Sequence, residues 1–205
     1  MAWHKHEDCT YRIPSVNSTD GHVKLAAFDL DSTLIVSDRG EPYATKGWIL
    51  AYANTVEVLR EFHTQGFTVV IFSNRSGPPY MLTAAQRRIE ELEAQVRVPL
   101  NCFFATSRRK DGIYRKPQPG MMALFASLCR IVIYDVNSFY SGDAIGSTSS
   151  NPWFRWSDDD SNFAKACGLP FKSPDTIFAS FPRPQIPPNV RLIITIGQHG
   201  SGVES

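Results

Sequence analysis

No apolar run in these 205 residues approaches the length that spans a bilayer, so no membrane-crossing helix is expected. Cysteine is scarce. Cys9, Cys102, Cys129 and Cys167 show neither metal-ligand spacing nor the pattern of a disulfide framework, which points to buried thiols in a reducing compartment and so to an intracellular protein, nuclear or cytoplasmic. The five histidines form no metal cluster, and a Cys/His zinc loop is missing. An excess of one charge is missing too: a net charge of +1 and a pI near 7.7 exclude the broad basic footprint of a duplex-coating protein. The charged opening Met1-Ala2-Trp3-His4-Lys5-His6-Glu7-Asp8 is not that of a signal peptide.

What is present is enough apolar sequence, 42%, to bury one sizeable core but hardly two full domains. Apolar runs near 24–30, 67–72, 101–106, 138–142 and 191–196 read as strands. Between them lie three helical patterns. Thr55 to Gln65 carries Val56, Leu59, Phe62 and His63 at helical spacing and stops at Gly66. Thr83-Ala84-Ala85-Gln86 reads as a capping box for a helix to about Gln95 with Ile89, Leu92 and Val96 on one face. Pro119 to Arg130 has Met122, Phe125 and Leu128 or Cys129 inward. The alternation predicts an α/β fold with a doubly wound parallel sheet, whose ligands bind at the carboxyl ends of the strands. Residues 1–22 read as an arm, with His4 and His6 mobile, 23–181 as the main domain, 182–190 as a proline-rich linker and 191–205 as a stub. No segment is long enough for a large cap domain, and Val36 to Leu50 forms a flap at most.

In Lys24-Leu25-Ala26-Ala27-Phe28-Asp29-Leu30-Asp31-Ser32-Thr33-Leu34, two carboxylates stand two residues apart where a strand gives way to a turn. Residues i and i+2 of a strand share a face, so Asp29 and Asp31 would leave the sheet as neighbouring like charges. Such a pair persists when a cation bridges it or when one carboxyl holds a proton, the conditions of a metal-assisted acid–base site. The plain alternative is an acidic strand-end turn capped by Ser32 and Thr33. Further along, Phe67-Thr68-Val69-Val70-Ile71-Phe72 ends in Ser73-Asn74, Tyr114-Arg115-Lys116-Pro117 holds a lysine before proline, and Ser138-Phe139-Tyr140-Ser141 ends in Gly142-Asp143. Taken singly, Lys116 reads equally as a solvated lysine, Ser73 as a turn-former and Asp143 as a cap.

In this order, Asp-x-Asp-x-Thr, a strand-end Ser, Lys-Pro and Gly-Asp resemble the four motifs of the haloacid dehalogenase superfamily of aspartate-nucleophile phosphohydrolases. With Trp48-Ile49-Leu50, Gly120-Met121 and Gly168-Leu169-Pro170-Phe171, the pattern over about residues 23 to 180 is similar to the 3′-phosphatase domains of the polynucleotide kinase 3′-phosphatase family. One departure is Ser32, where phosphatases of the superfamily often carry Gly. The resemblance implies a Rossmann-like sheet of the haloacid dehalogenase type with a minimal cap. It implies Asp29 as nucleophile and Asp31 as general acid and then general base. Mg²⁺ would be held by Asp29, the backbone carbonyl of Asp31, and Asp143, with Lys116 neutralising the phosphoryl group and Ser73 orienting it. Asn74 stands beside Ser73 as a secondary site residue. Asp160 falls where the family has a second metal-supporting acid, although a solvated acidic loop over Ser157-Asp158-Asp159-Asp160-Ser161 fits nearly as well.

The expected substrate is the 3′-phosphorylated end of a nucleic acid, with DNA favoured. The basic segment Arg108-Arg109-Lys110, continuing to Arg115, would track phosphates if it is not simply a solvated connection. Trp153, Phe154 and Trp156 read as packing under a loop in preference to base stacking. Gly197-Gln198-His199-Gly200-Ser201-Gly202 looks like a P-loop in which Val203 replaces the lysine, so no kinase activity is expected here, and a kinase domain is expected to follow in a longer parent protein. Two alternatives stand beside this reading: a histidinol-phosphate or heptose-bisphosphate type phosphatase of the superfamily, and a non-catalytic module that binds nucleic-acid ends.

Overall fold

The computed structural model describes residues 2–39, 47–109, 111–146 and 157–178, with the backbone alone for Tyr134, Asp135 and Val136. In chain order the elements are β1 (His4–His6), β2 (Cys9–Arg12), β3 (His22–Phe28), β4 (Ile35–Ser37), β5 (Trp48–Leu50), α1 (Thr55–Thr64), β6 (Phe67–Asn74), α2 (Pro79–Val96), β7 (Asn101–Ala105), α3 (Gly120–Cys129), β8 (Val132–Ser141), α4 (Asp159–Ala166), β9 (Phe171–Lys172) and α5 (Pro174–Phe178). The main sheet has seven strands in the order β1-β2-β7-β6-β3-β8-β9. From β7 to β9 every pairing is parallel. The apolar runs Leu25 to Phe28 in β3 and Val69 to Phe72 in β6 follow from this, because a central parallel strand buries both faces.

Helices cover both faces, as a doubly wound sheet requires. On one side Ala26, Phe28, Val69, Ile71 and Phe104 pack with Leu59 of α1 and with Ile89 and Leu92 of α2. On the other, Leu25, Ala27, Val70 and Phe72 pack with Met121 and Phe125 of α3 and Phe163 of α4. In the centre of the sheet Ala26 and Ala27 point to opposite cores, and both are fully buried.

Residues 4–12, expected as a mobile arm, are instead the antiparallel edge of the sheet. β2 pairs with β7 and β1 with β2. Trp3 stacks on Phe104 with ring centroids 5.4 Å apart, and buried Arg12 pairs with Glu93 of α2. Thr10 and Arg12 hid this strand, since polar residues in a short run read as loop until an acidic partner on a distant helix is known.

The second helix also differs from its expected start. α2 opens at Pro79, directly after Gly77-Pro78, with proline where a missing N–H is harmless. Thr83 lies inside it and donates its hydroxyl to the Pro79 carbonyl at 3.3 Å, so it caps nothing. In α3, Met121 turns inward, whereas Leu128 is exposed. In the segment expected as a flap at most, Val36 to Leu50, β5 pairs antiparallel with β4, and the indole N–H of Trp48 donates to Glu91 of α2 at 2.8 Å and docks the pair. Trp153, Phe154, Trp156, the expected linker 182–190 and the expected strand and stub 191–205 lie outside the described residues.

Ser32 has φ of +60°, in the left-handed region, and its N–H closes the turn onto the Ile35 carbonyl at 2.8 Å. That conformation explains why glycine suits the position. A side chain there costs roughly 1 kcal/mol, partly offset in glycine by the entropy of the unfolded chain. Ser32→Gly is expected to raise stability by about 0.5 kcal/mol with turnover intact. A lower urea midpoint for the variant would contradict this account of the turn.

Candidate active site

Four chain segments reach the carboxyl edge of the parallel strands together. Asp29 leaves β3 with its N–H bonded to the Ser141 carbonyl of β8 at 2.8 Å. Ser73 and Asn74 end β6, and Ser73 is buried. The loop after β7 brings in Lys116, and the end of β8 brings in Gly142 and Asp143.

Lys116 is the hub. Its ammonium donates to Asp29 Oδ1 at 2.6 Å, to Asp160 Oδ1 at 2.6 Å and to the Tyr140 hydroxyl at 3.0 Å. Asn74 holds its backbone from both sides: Oδ1 accepts from the Lys116 N–H at 2.9 Å and Nδ2 donates to the Lys116 carbonyl at 3.2 Å. One amide thus fixes where the lysine leaves its loop. Tyr140 donates to Asp160 Oδ1 at 2.7 Å, and Asp160 Oδ2 accepts the Ala144 N–H at 2.9 Å. Gly142 makes this close approach feasible, since a Cβ there would lie 2.3 Å from Cγ of Asp160. Thr33 donates to Asp143 Oδ1 at 3.4 Å.

Asp29, Asp143 and Asp160 each offer an oxygen within 4.8 Å of the others. Asp31 is not in this triad; its carboxylate turns away to an ion pair with buried Arg75. The structure therefore brings Asp29 and Asp143 together, and Asp160 is a buried member of the same cluster, not a solvated loop acid. The four carboxylates face two cations, Lys116 and Arg75, leaving two negative charges. Hard oxygen donors with a surplus of two negative charges fit a divalent cation such as Mg²⁺.

The electrostatics show the same imbalance. Burial raises Asp29 above the ordinary carboxylate range, with Lys116 opposing the shift and Asp160 reinforcing it. Burial would lower Lys116, but Asp160 and Asp29 more than reverse it, so the ammonium stays charged. Asp143 is pushed up to about 7, first by burial and then by the charges of Asp29 and Asp160. Without metal, its folded-state value lies above its ordinary 3.8, so this group favours the fold on the acid side and opposes it increasingly as pH rises towards about 7. A divalent cation needs the ionised form and competes with that proton. Mg²⁺ is therefore expected to raise the melting temperature more at pH 8 than at pH 6, and Asp143→Asn to remove much of the difference. Melts with equal Mg²⁺ shifts at both pH values in the unmutated protein would count against this site.

The residues expected to bind substrate are more dispersed. Arg108 and Arg109 are exposed, Arg109 is bonded to Asp111 at 3.1 Å, and Lys110 lies outside the described residues. Arg115 donates to Ser76 Oγ at 3.1 Å, tying the lysine loop to the turn after β6. Sequence reasoning missed two residues of this cluster, Arg75 and Tyr140, and the reason for Gly142. Only Arg75 left a signal, a charge immediately after a strand-end Ser-Asn.

The chain matches the family described as Polynucleotide kinase 3 phosphatase over residues 24–178. It is similar to the polynucleotide 3′-phosphatase of Arabidopsis thaliana, 33% identical over 171 residues that cover 76% of this chain and 24% of that protein. It is also similar to the bifunctional polynucleotide phosphatase/kinase of Schizosaccharomyces pombe, 30% identical over 180 residues, 81% of this chain and 40% of that protein. The chain thus spans well under half the length of these curated relatives. Among solved structures, D,D-heptose 1,7-bisphosphate phosphatase from B. bronchiseptica, complexed with magnesium and phosphate, superposes with a TM-score of 0.52 at 21% identity over 73% of this chain and 79% of that one. The fold is that of haloacid dehalogenase-type phosphatases.

Proposed function

Because the chain belongs to the polynucleotide kinase 3 phosphatase family, we propose that it is a Mg²⁺-dependent phosphatase that removes 3′-terminal phosphates from DNA ends, as strand-break repair requires. The observation that carries this reading is Lys116 bridging buried Asp29 and Asp160 beside Asp143. A phosphate dianion repels a carboxylate nucleophile, so cations have to be in place first. Asp29, the backbone carbonyl of Asp31, Asp143 and Asp160 would hold Mg²⁺, which when bound offsets the charge of the phosphoryl oxygens. Lys116 supplies a further positive charge next to the attacking Asp29 oxygen, and the Ser73 hydroxyl orients the phosphoryl group. Asp29 attacks phosphorus to form an aspartyl-phosphate. Asp31 gives a proton to the departing 3′-alkoxide and then takes one from the water that hydrolyses the intermediate.

Substrate choice follows from the small cap. No segment between the motifs is long enough for a large cap domain, which would leave room for the end of a polymer. Arg108 and Arg115, with Lys110, would track its phosphates. A kinase domain beyond this chain in a longer parent is part of the same proposal, supported by the bifunctional S. pombe relative, as is work inside the cell, in keeping with four free cysteines. Residues 191–205, with Val203 in place of a P-loop lysine, are not expected to phosphorylate 5′ ends.

Phosphate release from a 3′-phosphorylated DNA oligonucleotide with Mg²⁺, measured beside histidinol phosphate and a heptose bisphosphate, tests the proposal. Faster turnover of the oligonucleotide is expected. Preference for a small metabolite would transfer the chain to the metabolite branch, and inertness towards all three would favour a binding module.

A further inference from the structure

The two oxygens of the Asp31 carboxylate have unlike surroundings. Oδ2 accepts a hydrogen bond from Nη2 of Arg75. Oδ1 is buried and has no hydrogen-bond partner among the described residues. A buried acceptor without a partner opposes folding, so its presence beside a reaction centre calls for a use. Arg75 is itself held in place. It is 6% exposed, its guanidinium lies over the Phe104 ring at 5.9 Å from the centroid, and its backbone N–H donates to the Ala105 carbonyl at 2.7 Å. Both anchoring residues belong to β7, so the guanidinium is fixed relative to the sheet that presents Asp29.

We propose that Arg75 is a positioning residue for acid–base catalysis, pinning Oδ2 of Asp31 and leaving Oδ1 as the oxygen that carries the transferred proton. The inference deepens the phosphatase reading and rests on it. In the first half-reaction an Asp29 oxygen bonds to phosphorus, the ester P–O bond breaks, and the proton on Asp31 Oδ1 passes to the departing alkoxide oxygen. In the second, a water oxygen bonds to phosphorus, the aspartyl P–O bond breaks, and the water proton returns to Oδ1. Each proton transfer demands an oxygen at the same point. A carboxylate free to rotate about Cβ–Cγ would spend part of its time elsewhere, and the ion pair of Oδ2 with Nη2 of Arg75 restricts that rotation. Phe104 adds to this by restricting the guanidinium, which lets the ion pair act as a fixed support.

The leaving group separates this role from a general loss of structure. A 3′-alkoxide needs a proton as it departs, whereas p-nitrophenolate does not. Arg75→Ala is expected to lower turnover of a 3′-phosphorylated oligonucleotide by roughly 10²-fold or more, the lower end of what a positioned acid or base contributes. First-turnover release of p-nitrophenolate from p-nitrophenyl phosphate, read by rapid mixing, should change far less. In an Asp31→Asn background, Arg75→Ala should add little further loss, because the residue acts through Asp31. Arg75→Lys keeps the buried charge without the planar fork and should show the same pattern at smaller size, even if the alanine variant folds poorly. Equal slowing of both reactions, full additivity with Asp31→Asn, or unaltered oligonucleotide turnover in Arg75→Lys would overturn the assignment. If the unmutated chain hydrolyses p-nitrophenyl phosphate but not the oligonucleotide, the substrate reading fails instead, and an alkyl monoester in its place still decides the role of Arg75.

Discussion

Asp29→Asn is expected to lower phosphate release by roughly 10⁴-fold or more, the scale seen when a nucleophile is removed from a preorganised site, while leaving the metal-free protein at least as stable. The two halves of this result share one cause. Asn fills the same volume, but its amide cannot form an acyl-phosphate, so chemistry is lost without a cavity. Stability is retained because burial raises Asp29 above the ordinary carboxylate range, so its ionised form opposes folding at neutral pH. Lys116 keeps Asp160 as its partner in the variant. Paired assays of phosphate release and urea unfolding check both halves. A marked loss of stability would show that Asp29 supports the fold in its own right, and near-normal turnover would remove it as nucleophile.

Lys116→Ala should fail in a different way, losing rate and stability together. The lysine is the shared partner of Asp29 and Asp160, all three buried. Without it two carboxylates lie side by side with no cation between them, and breaking a buried pair in this manner costs about 3–5 kcal/mol. Rate should fall by about 10²-fold or more, as when one electrostatic contact to a developing charge is lost. Mg²⁺ should restore part of the lost stability, because it supplies positive charge to the same oxygens. Thermal melts with and without Mg²⁺ read this directly. If the variant melts like the unmutated protein in the absence of metal, Lys116 does not offset the carboxylate charge, and the site has been misread.

The sequence by itself determined the parallel strands at the centre of the sheet, because Leu25 to Phe28 of β3 and Val69 to Phe72 of β6 are continuous apolar runs buried on both faces. It also determined the order of the segments that form the candidate site, since strand-end Asp, Ser and Gly-Asp each follow an apolar run. Only the tertiary structure decided the rest. The strands of residues 4–12 depend on β7, and on Glu93, which lies 81 residues from Arg12. Asp160, one acid in a run of three, becomes a site residue because Gly142 has no side chain, so the carboxylate can pass close to Lys116. Tyr140 read as one more apolar strand residue until its hydroxyl met Lys116 and Asp160. Arg75 had no visible partner in its own neighbourhood, since Asp31 lies 44 residues away on another strand end. Hydrophobic burial leaves a periodic trace along the chain, whereas a pairing between single charges from distant segments leaves none until the sheet brings them together.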